Sequence, residues 1–256
     1  MARKIVLTSG KGGVGKSTIC LSLGKQLAFG GAKVVMLDVD VGLNNLDIVA
    51  GIQPNVLYDV VDVLEHRVRI NQALVQDSEC LDLFYLPSCH TYNVGRVTPE
   101  DLKSVVAELE DFDYILLDCP AGIDFGFHRA VFCAGEALIV TTPHITAVRD
   151  ADKVATLLCH YDLDSVGLVV NRLDERLIVR HKMLDGAEIA NALKLPLLGQ
   201  IPESKDVNSL ASISGKICTT DNKFNNAIAS LAENVFFGNY ACRELMQKVK
   251  RGEKYV

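Results

Sequence analysis

The fold is decided by Ser9–Thr18, which reads SGKGGVGKST. This stretch satisfies the G-x-x-x-x-G-K-[ST] pattern of a Walker A loop. The apolar run Ile5–Leu7 precedes it and predicts a buried strand, while apolar residues at helical spacing follow it over Ile19–Ala28. Strand, glycine-rich loop and helix therefore stand in the order that a phosphate-binding loop requires.

The composition of this loop matches the chemistry of binding a triphosphate. Several backbone N–H groups must point into one small concavity, and glycines permit this because they carry no side chain and tolerate positive φ. The helix that begins near Lys16 adds its free amides and the positive end of its dipole. We expect Lys16 to bridge the β- and γ-phosphates of ATP, and the Ser17 hydroxyl to bind Mg²⁺. The loop residues predicted to bind the nucleotide are Gly10, Lys11, Gly12, Gly13, Val14, Gly15, Lys16, Ser17 and Thr18.

Two further predicted strands end in carboxylates. Lys33–Asp38 (KVVMLD) leads into Asp40, and Tyr114–Asp118 (YILLD) has the Walker B pattern of an apolar strand that ends in Asp. In an open parallel sheet, such strand ends lie beside the ligand crevice. Asp118 is expected to hold the Mg²⁺-bound water. Asp40 either positions the attacking water or outer-shell Mg²⁺, or caps the following turn. The predicted metal residues are Ser17, Asp40 and Asp118.

The rest of the chain continues this alternation of strands and helices. Further strands are predicted at 81–86, 137–142, 166–170 and 195–201, and helices at 58–74, 99–109, 144–160 and 224–237. Such alternation predicts an α/β fold, a single-domain P-loop NTPase with a mostly parallel sheet covered by helices on both faces. We assign residues 1–238 to this domain and 239–256 to a C-terminal tail.

Composition narrows the functional classes. Of the 256 residues 49% are hydrophobic, so the chain can bury a sizeable core. The formal net charge of −6 argues against a generally basic surface that coats nucleic acid. The eight cysteines include no C-x-x-C pair, and together with a P-loop they indicate reduced thiols in the cytosol. We expect no signal peptide, because Met1–Lys4 runs directly into the first predicted strand, and we expect no membrane-spanning helix, because no apolar run is long enough.

Five motifs in matching order give the chain a family resemblance. Lys11, directly after the first glycine, gives KGGVGKS, which resembles the deviant Walker A loop of the MinD/ParA family. The spacing alone allows Lys11 to be a solvated charge or to reach a phosphate across a subunit interface; the resemblance implies the second role. Asp38–Asp47 resembles the switch I segment of MinD-type members, in which the counterpart of Asp40 is needed for hydrolysis, although Asn44 stands where relatives often carry Arg. Asp118–Ile123 resembles their switch II.

The resemblance also extends to the second half of the chain. It implies that Asn171 reads the adenine edge, that Arg172 adjoins it, and that Pro202 and Glu203 line the adenine pocket. From the residues alone, an Asn at the end of a strand is usually a turn residue. Arg149–Asp152 is either a solvated helix face or, by resemblance, part of a dimer and regulator surface.

The resemblance to MinD-type ATPases implies a nucleotide switch. ATP and Mg²⁺ would assemble a homodimer that binds the membrane and a division regulator similar to MinC or MinE, and hydrolysis would release it. The residues implied in hydrolysis are Lys11, Lys16, Asp40 and Asp118. Such a protein is expected in the cytoplasm and, peripherally, at the inner face of the cell membrane. Two alternatives remain open: a ParA-type partition ATPase, which would bind DNA or another scaffold, and a metabolic ligase of the same fold.

The tail carries the membrane prediction. Cys242, Leu245, Met246 and Val249 fall on one helical face, with basic residues around them. This pattern is typical of an amphipathic membrane-targeting helix, although Gly252 interrupts it. A short surface helix docked on the domain is the alternative.

Overall fold

The computed structural model describes residues 1–40, 46–88, 97–207 and 220–238, and these ranges form an α/β fold. The strands are β1 (Arg3–Thr8), β2 (Val34–Asp38), β3 (Val75–Gln76), β4 (Leu83–Leu86), β5 (Tyr114–Asp118), β6 (Glu136–Thr141), β7 (Ser165–Leu173) and β8 (Leu197–Pro202). The helices are α1 (Lys16–Phe29), α2 (Leu46–Ala50), α3 (Val60–Leu64), α4 (Ile70–Ala73), α5 (Pro99–Ala107), α6 (Phe125–Phe132), α7 (Ile145–Leu158), α8 (Glu175–Val179), α9 (Gly186–Leu193) and α10 (Asn222–Phe236).

The eight strands form one sheet in the order β3-β4-β2-β5-β1-β6-β7-β8. All neighbours are parallel except β3 and β4, which pair antiparallel at the edge. In the centre, Asp118 of β5 pairs with Leu7 of β1 on one side and with Asp38 of β2 on the other. Because parallel strands end at the same edge, this register brings the glycine-rich loop and both strand-end carboxylates together.

The core lies on both faces of the sheet, as the alternation of strands and helices predicts. In β1, Val6 packs into the core on one face, which also contains buried residues of α5, α6, α7 and α9. Its neighbours Ile5 and Leu7 pack into the core on the other face, with buried residues of α1 and α10. This opposite packing follows from the two-residue period of side chains along a strand.

The helix predicted at 58–74 is wrong as a continuous element. Two short helices, α3 and α4, take its place. Asp59 starts α3 with a capping box, in which its carboxylate accepts the N–H groups of Val61 and Asp62. His66 then has φ 56°, in the left-handed region, and the chain leaves the helical direction there. Local capping therefore outweighs the apolar spacing.

Two helix ends match the sequence signals closely. Thr98 caps α5 by accepting the Asp101 N–H at 3.1 Å, and the Asp101 carboxylate accepts the Thr98 N–H at 2.9 Å. At the other end of the chain, α10 ends before Gly238, which has φ 67°. Both follow the capping chemistry of Thr-Pro at a helix start and of Gly after a helix end.

The predicted tail at 239–256 and the switch residue Asn44 lie outside the described residues, so the division into domain and tail stays a prediction. Among the helices that the structure describes, none combines the length and the hydropathy needed to cross a bilayer.

Candidate nucleotide-binding site

The glycine-rich loop joins β1 to α1 at the carboxyl edge of the sheet. Gly13 has φ 77° and Gly15 has φ 90°, in the left-handed region that favours glycine. The first turn of α1 begins at once, because the N–H of Ile19 donates to the Gly15 carbonyl at 2.9 Å. The N–H groups at the start of α1 are thus left for another acceptor, as at the N-terminus of any helix.

Two glycines in this loop are also required by packing. A Cβ on Gly10 would lie 2.5 Å from the carbonyl oxygen of Asp150 in α7, and one on Gly15 would collide with the amide nitrogen of Asn171 in β7. From the sequence, these glycines are expected to give the phosphates access to backbone N–H groups and to allow positive φ. The structure adds a second reason, since α7 and β7 hold the loop from outside.

Lys16 and Asp118 form a buried ion pair beneath the loop. The Lys16 Nζ lies 2.6 Å from the Asp118 Oδ1, and the two side chains are 10% and 4% exposed. Burial works to lower the pKa of Lys16, but the charge of Asp118 and its hydrogen bond outweigh burial, and the net effect is a raised pKa. Lys16 is therefore a firmly protonated cation where the phosphates are predicted to bind.

The carboxylates of Asp38, which ends β2, and of Asp40, which follows it, have different roles. Asp38 is buried, and its carboxylate accepts the N–H of Asp40 at 2.9 Å and that of Leu46 at 3.0 Å, so it shapes the loop after β2. Asp40 is only partly buried. Its pKa is raised, mainly by burial, while the charge of Lys16 opposes this and that of Asp118 adds to it. These electrostatic effects place Asp40 in the same site as the ion pair.

The donors in this site fit Mg²⁺ with a nucleotide. Ser17, Asp40 and Asp118 offer hard oxygen ligands, and the described part of the chain holds no cluster of three or more His, Cys, Asp or Glu side chains suited to a metal. Mg²⁺ is ordinarily held by one or two carboxylates together with water and substrate phosphates, so such a cage is not needed. The protonated Lys16 and the free amides of α1 complete a site for anionic phosphates.

The predicted adenine-side residues meet at the ends of β7 and β8. Asn171 is buried, and its Nδ2 donates to the Val14 carbonyl at 2.8 Å, so it braces the glycine-rich loop. Arg172 follows with φ 61° and is exposed. The N–H of Glu203, directly after Pro202, donates to the β7 carbonyl of Leu173 at 2.9 Å. The structure thus brings the predicted residues together, and their contacts with adenine stay a prediction.

The partly exposed side chain of Lys11 contacts α7. Its Nζ donates to the Thr146 Oγ1 in the first turn of α7 at 3.2 Å. Ile145, next to Thr146, is 82% exposed. Two further apolar residues, Ile123 and Phe125, follow Gly122 and are 41% and 55% exposed. The segment that carries Ile123 is tied to the loop, since the Gly122 N–H donates to the Ser9 carbonyl at 3.0 Å.

One residue of this region belongs to no sequence motif. Arg129 of α6 is only 1% exposed and donates to the carbonyl of Val39, next to Asp40, at 2.9 Å. The helix that carries it was not predicted, and no motif includes a lone arginine in an apolar segment. Only the packing of α6 against the loop after β2 reveals it.

Comparison with known proteins agrees with this geometry. Residues 5–214 match the model of the CobQ/CobB/MinD/ParA nucleotide binding domain. The septum site-determining protein MinD of Bacillus subtilis is 44% identical over 232 residues, which cover 90% of this chain and 86% of that protein.

Solved structures lead to the same group. A chain of the MinC:MinD cell division protein complex from Aquifex aeolicus superposes with a TM-score of 0.84 at 38% identity, covering 92% of this chain and 96% of that one. MinD from Pyrococcus horikoshii, complexed with Mg-ADP, gives 0.81 at 30% identity, covering 94% and 99%. The chain therefore belongs to the MinD group of septum site-determining proteins, within the CobQ/CobB/MinD/ParA nucleotide-binding family.

Proposed function

We propose that this protein is a Mg²⁺-dependent ATPase that forms a homodimer when ATP is bound. The dimer acts at the membrane to place the cell-division site. The nucleotide-binding part of this function rests on family membership and on the site, where Lys16, Asp118 and Asp40 meet under a glycine-rich loop. The observation that carries the switch is the position of Lys11. Its ammonium group bonds to Thr146 of α7 in an exposed position, whereas that of Lys16 is buried in the pair with Asp118.

Each side chain of the site is proposed to have a separate role in ATP hydrolysis. Lys16 would exchange its contact with Asp118 for the phosphates, and Ser17 and Asp118 would hold the Mg²⁺ shell. Bound Mg²⁺ supplies positive charge that neutralises the phosphate oxygens. Asp40 would orient water, and its raised pKa suits a group that accepts a hydrogen bond or a proton. Lys11 of one subunit would add a cation to the partner's site, as an arginine finger does.

Dimerisation is proposed to bury exposed apolar residues beside Thr146, which Lys11 contacts, and beside Gly122, which bonds to Ser9. Ile123, Phe125 and Ile145 are too exposed to contribute to the monomer's core, and their burial between subunits would favour association. The negative phosphates of ATP bound in one subunit would attract Lys11 of the other subunit across the interface. A division regulator is proposed as partner because the MinC:MinD complex of Aquifex aeolicus includes a closely similar chain.

The first experiment measures dimerisation and hydrolysis together. Light scattering after gel filtration, with Mg²⁺ and either ATP or ADP, is expected to show a dimer in ATP only. Lys11→Ala should bind ATP but fail to dimerise, and Lys16→Ala should fail to bind. Lys4→Ala is the matched control, because Lys4 pairs with Glu110 at the opposite edge of the sheet. Normal dimerisation by Lys11→Ala would contradict the proposed switch.

The membrane part needs its own experiment. Co-sedimentation with anionic liposomes is expected in ATP but not in ADP, because two tails per dimer bind more strongly than one. A variant ending at residue 238 should stay in the supernatant while retaining ATP-dependent dimerisation. Pelleting of that variant would refute membrane attachment through the tail, and equal pelleting in ADP would refute its dependence on ATP.

A further inference from the structure

A buried arginine ties α6 to the backbone next to Asp40. The guanidinium of Arg129 is 1% exposed, and it donates to the Val39 carbonyl at 2.9 Å and to the Val97 carbonyl at 3.3 Å. Holding a guanidinium out of water is costly unless it makes good hydrogen bonds. These contacts therefore fix its position relative to the loop after β2.

The backbone on either side of this contact is also held. The N–H of Val39 donates to the Asp118 carbonyl at 3.0 Å, and the N–H of Asp40 donates to the Asp38 carboxylate at 2.9 Å. Arg129 holds the remaining polar group, the Val39 carbonyl. The peptide that joins Val39 to Asp40 is thus bonded to Asp38 and to α6, and the peptide before it is bonded to β5.

The same helix is connected to the glycine-rich loop. Residues 119–124 lead from Asp118 into α6, and Gly122 in this segment donates its N–H to the Ser9 carbonyl at 3.0 Å. A displacement of Gly122 by bound phosphate would therefore move the start of α6. The guanidinium of Arg129 would pass this movement to the Val39 carbonyl, and so to Asp40.

From this geometry we infer that Arg129 is a positioning residue, which holds Asp40 in the orientation used for hydrolysis and couples it to the segment Cys119–Asp124. The inference rests on the proposed ATPase function and adds a residue to it. Arg129 acts through its hydrogen bond to the Val39 carbonyl, and its charge also opposes the raised pKa of Asp40. A misplacement of a catalytic group by about 1 Å can lower a rate by about 100-fold.

The test uses the full chain and two substitutions at one position. Arg129→Met removes the hydrogen bonds to Val39 and Val97 with a side chain of similar length, and Arg129→Lys keeps a cation that can reach one of these carbonyls. The control is Arg3→Met: Arg3 also binds a carbonyl, that of Val235 at 2.6 Å, and pairs with Glu136, but at the opposite edge of the sheet. It reproduces the loss of a structural arginine away from the site.

Three quantities are measured for each variant. They are the affinity for a fluorescent ATP analogue with Mg²⁺, the single-turnover rate of ATP hydrolysis, and the hydrogen exchange of peptides that cover 34–40. Arg129→Met is expected to bind the analogue within about threefold of the wild type and to hydrolyse ATP about 10- to 100-fold more slowly. Its amides at Val39 and Asp40 should exchange faster. Arg129→Lys should recover part of the rate, and Arg3→Met should change neither the rate nor this exchange.

Several outcomes would overturn the inference. Wild-type hydrolysis by Arg129→Met would do so, and so would equal rate losses in Arg129→Met and Arg3→Met that follow their melting temperatures. If the wild type binds ATP without hydrolysing it, the proposed ATPase function fails. The exchange measurement still decides the coupling in that case, because unchanged exchange at Val39 and Asp40 in Arg129→Met would refute it without reference to turnover.

Discussion

The ion pair between Lys16 and Asp118 leads to a quantitative prediction about stability. Asp118→Asn keeps the shape of the side chain but removes the charge that balances a buried ammonium group 2.6 Å away. Breaking a buried pair typically costs about 3–5 kcal/mol. An upper limit follows from proton release: taking Lys16 from its ordinary pKa of 10.5 to neutrality at pH 7 spans about 3.5 pH units, or about 4.8 kcal/mol at 1.36 kcal/mol per unit.

We therefore expect Asp118→Asn to lower the free energy of unfolding by about 2–4 kcal/mol, below that limit because the Lys16 side chain keeps 10% of its exposure. In a domain of this size the melting temperature should fall by about 4–15 °C. The assay is urea unfolding at pH 7 without nucleotide, followed by circular dichroism. The wild type, Lys16→Met, Asp118→Asn and the double variant complete a double-mutant cycle.

The double-mutant cycle tests whether Lys16 and Asp118 interact in the folded protein. If the pair exists in solution, the double variant loses less stability than the two single variants predict together, by about 1–3 kcal/mol. Additive losses, or an Asp118→Asn variant as stable as the wild type, would refute the ion pair.

The raised pKa of Lys16 also determines how the stabilisation by the ion pair changes with pH. Since folding raises the pKa of Lys16, this stabilisation is complete below its unfolded value and is lost as the pH rises through the folded value.

Three further predictions follow from single features. Gly10→Ala should lower stability by about 1–3 kcal/mol in urea unfolding, because its Cβ would lie 2.5 Å from the Asp150 carbonyl, whereas Gly12→Ala, with nothing nearer than 3.9 Å, should unfold like the wild type. Asp59→Ala should cost about 1 kcal/mol in the same assay through loss of the α3 cap, and no loss would contradict that cap. Burial raises the pKa of Cys119 to about 12, so its thiol should resist iodoacetamide at pH 8 until urea unfolds the chain; rapid labelling of the folded protein, mapped by mass spectrometry, would disprove its burial.

Much of the fold could be predicted because its signals are local. The strand Tyr114–Asp118 was predicted with the bounds that the structure has, since an apolar run with a terminal carboxylate needs no distant partner to be recognised. The start of α5 at Thr98 was equally clear, as capping chemistry lies within a few residues. The glycine-rich loop is likewise a local pattern, and its place between β1 and α1 is confirmed.

Other features could not be predicted because several elements compete. The helix expected at 58–74 is broken, since apolar spacing did not show that a cap at Asp59 and a left-handed His66 would divide it. The pattern predicts neither the helices α2, α6, α8 and α9 nor the short strand β3, and β7 extends three residues beyond the expected strand end, to Leu173. Such boundaries depend on packing against neighbouring elements, and a short stretch of sequence does not specify that packing.

The sequence by itself determined the class of fold and the chemistry of the site, because a phosphate-binding loop and its carboxylates are specified by residue type and spacing. Only the tertiary structure decided which role each of these side chains takes. Asp38 accepts a backbone N–H, that of Asp40, whose own carboxyl group feels the charge of Lys16. Asn171 supports the loop by its bond to Val14. It also decided that Arg129 bonds the backbone beside Asp40. The physical reason is that burial, ion pairing and hydrogen bonds between strands depend on which distant segments the sheet order makes neighbours.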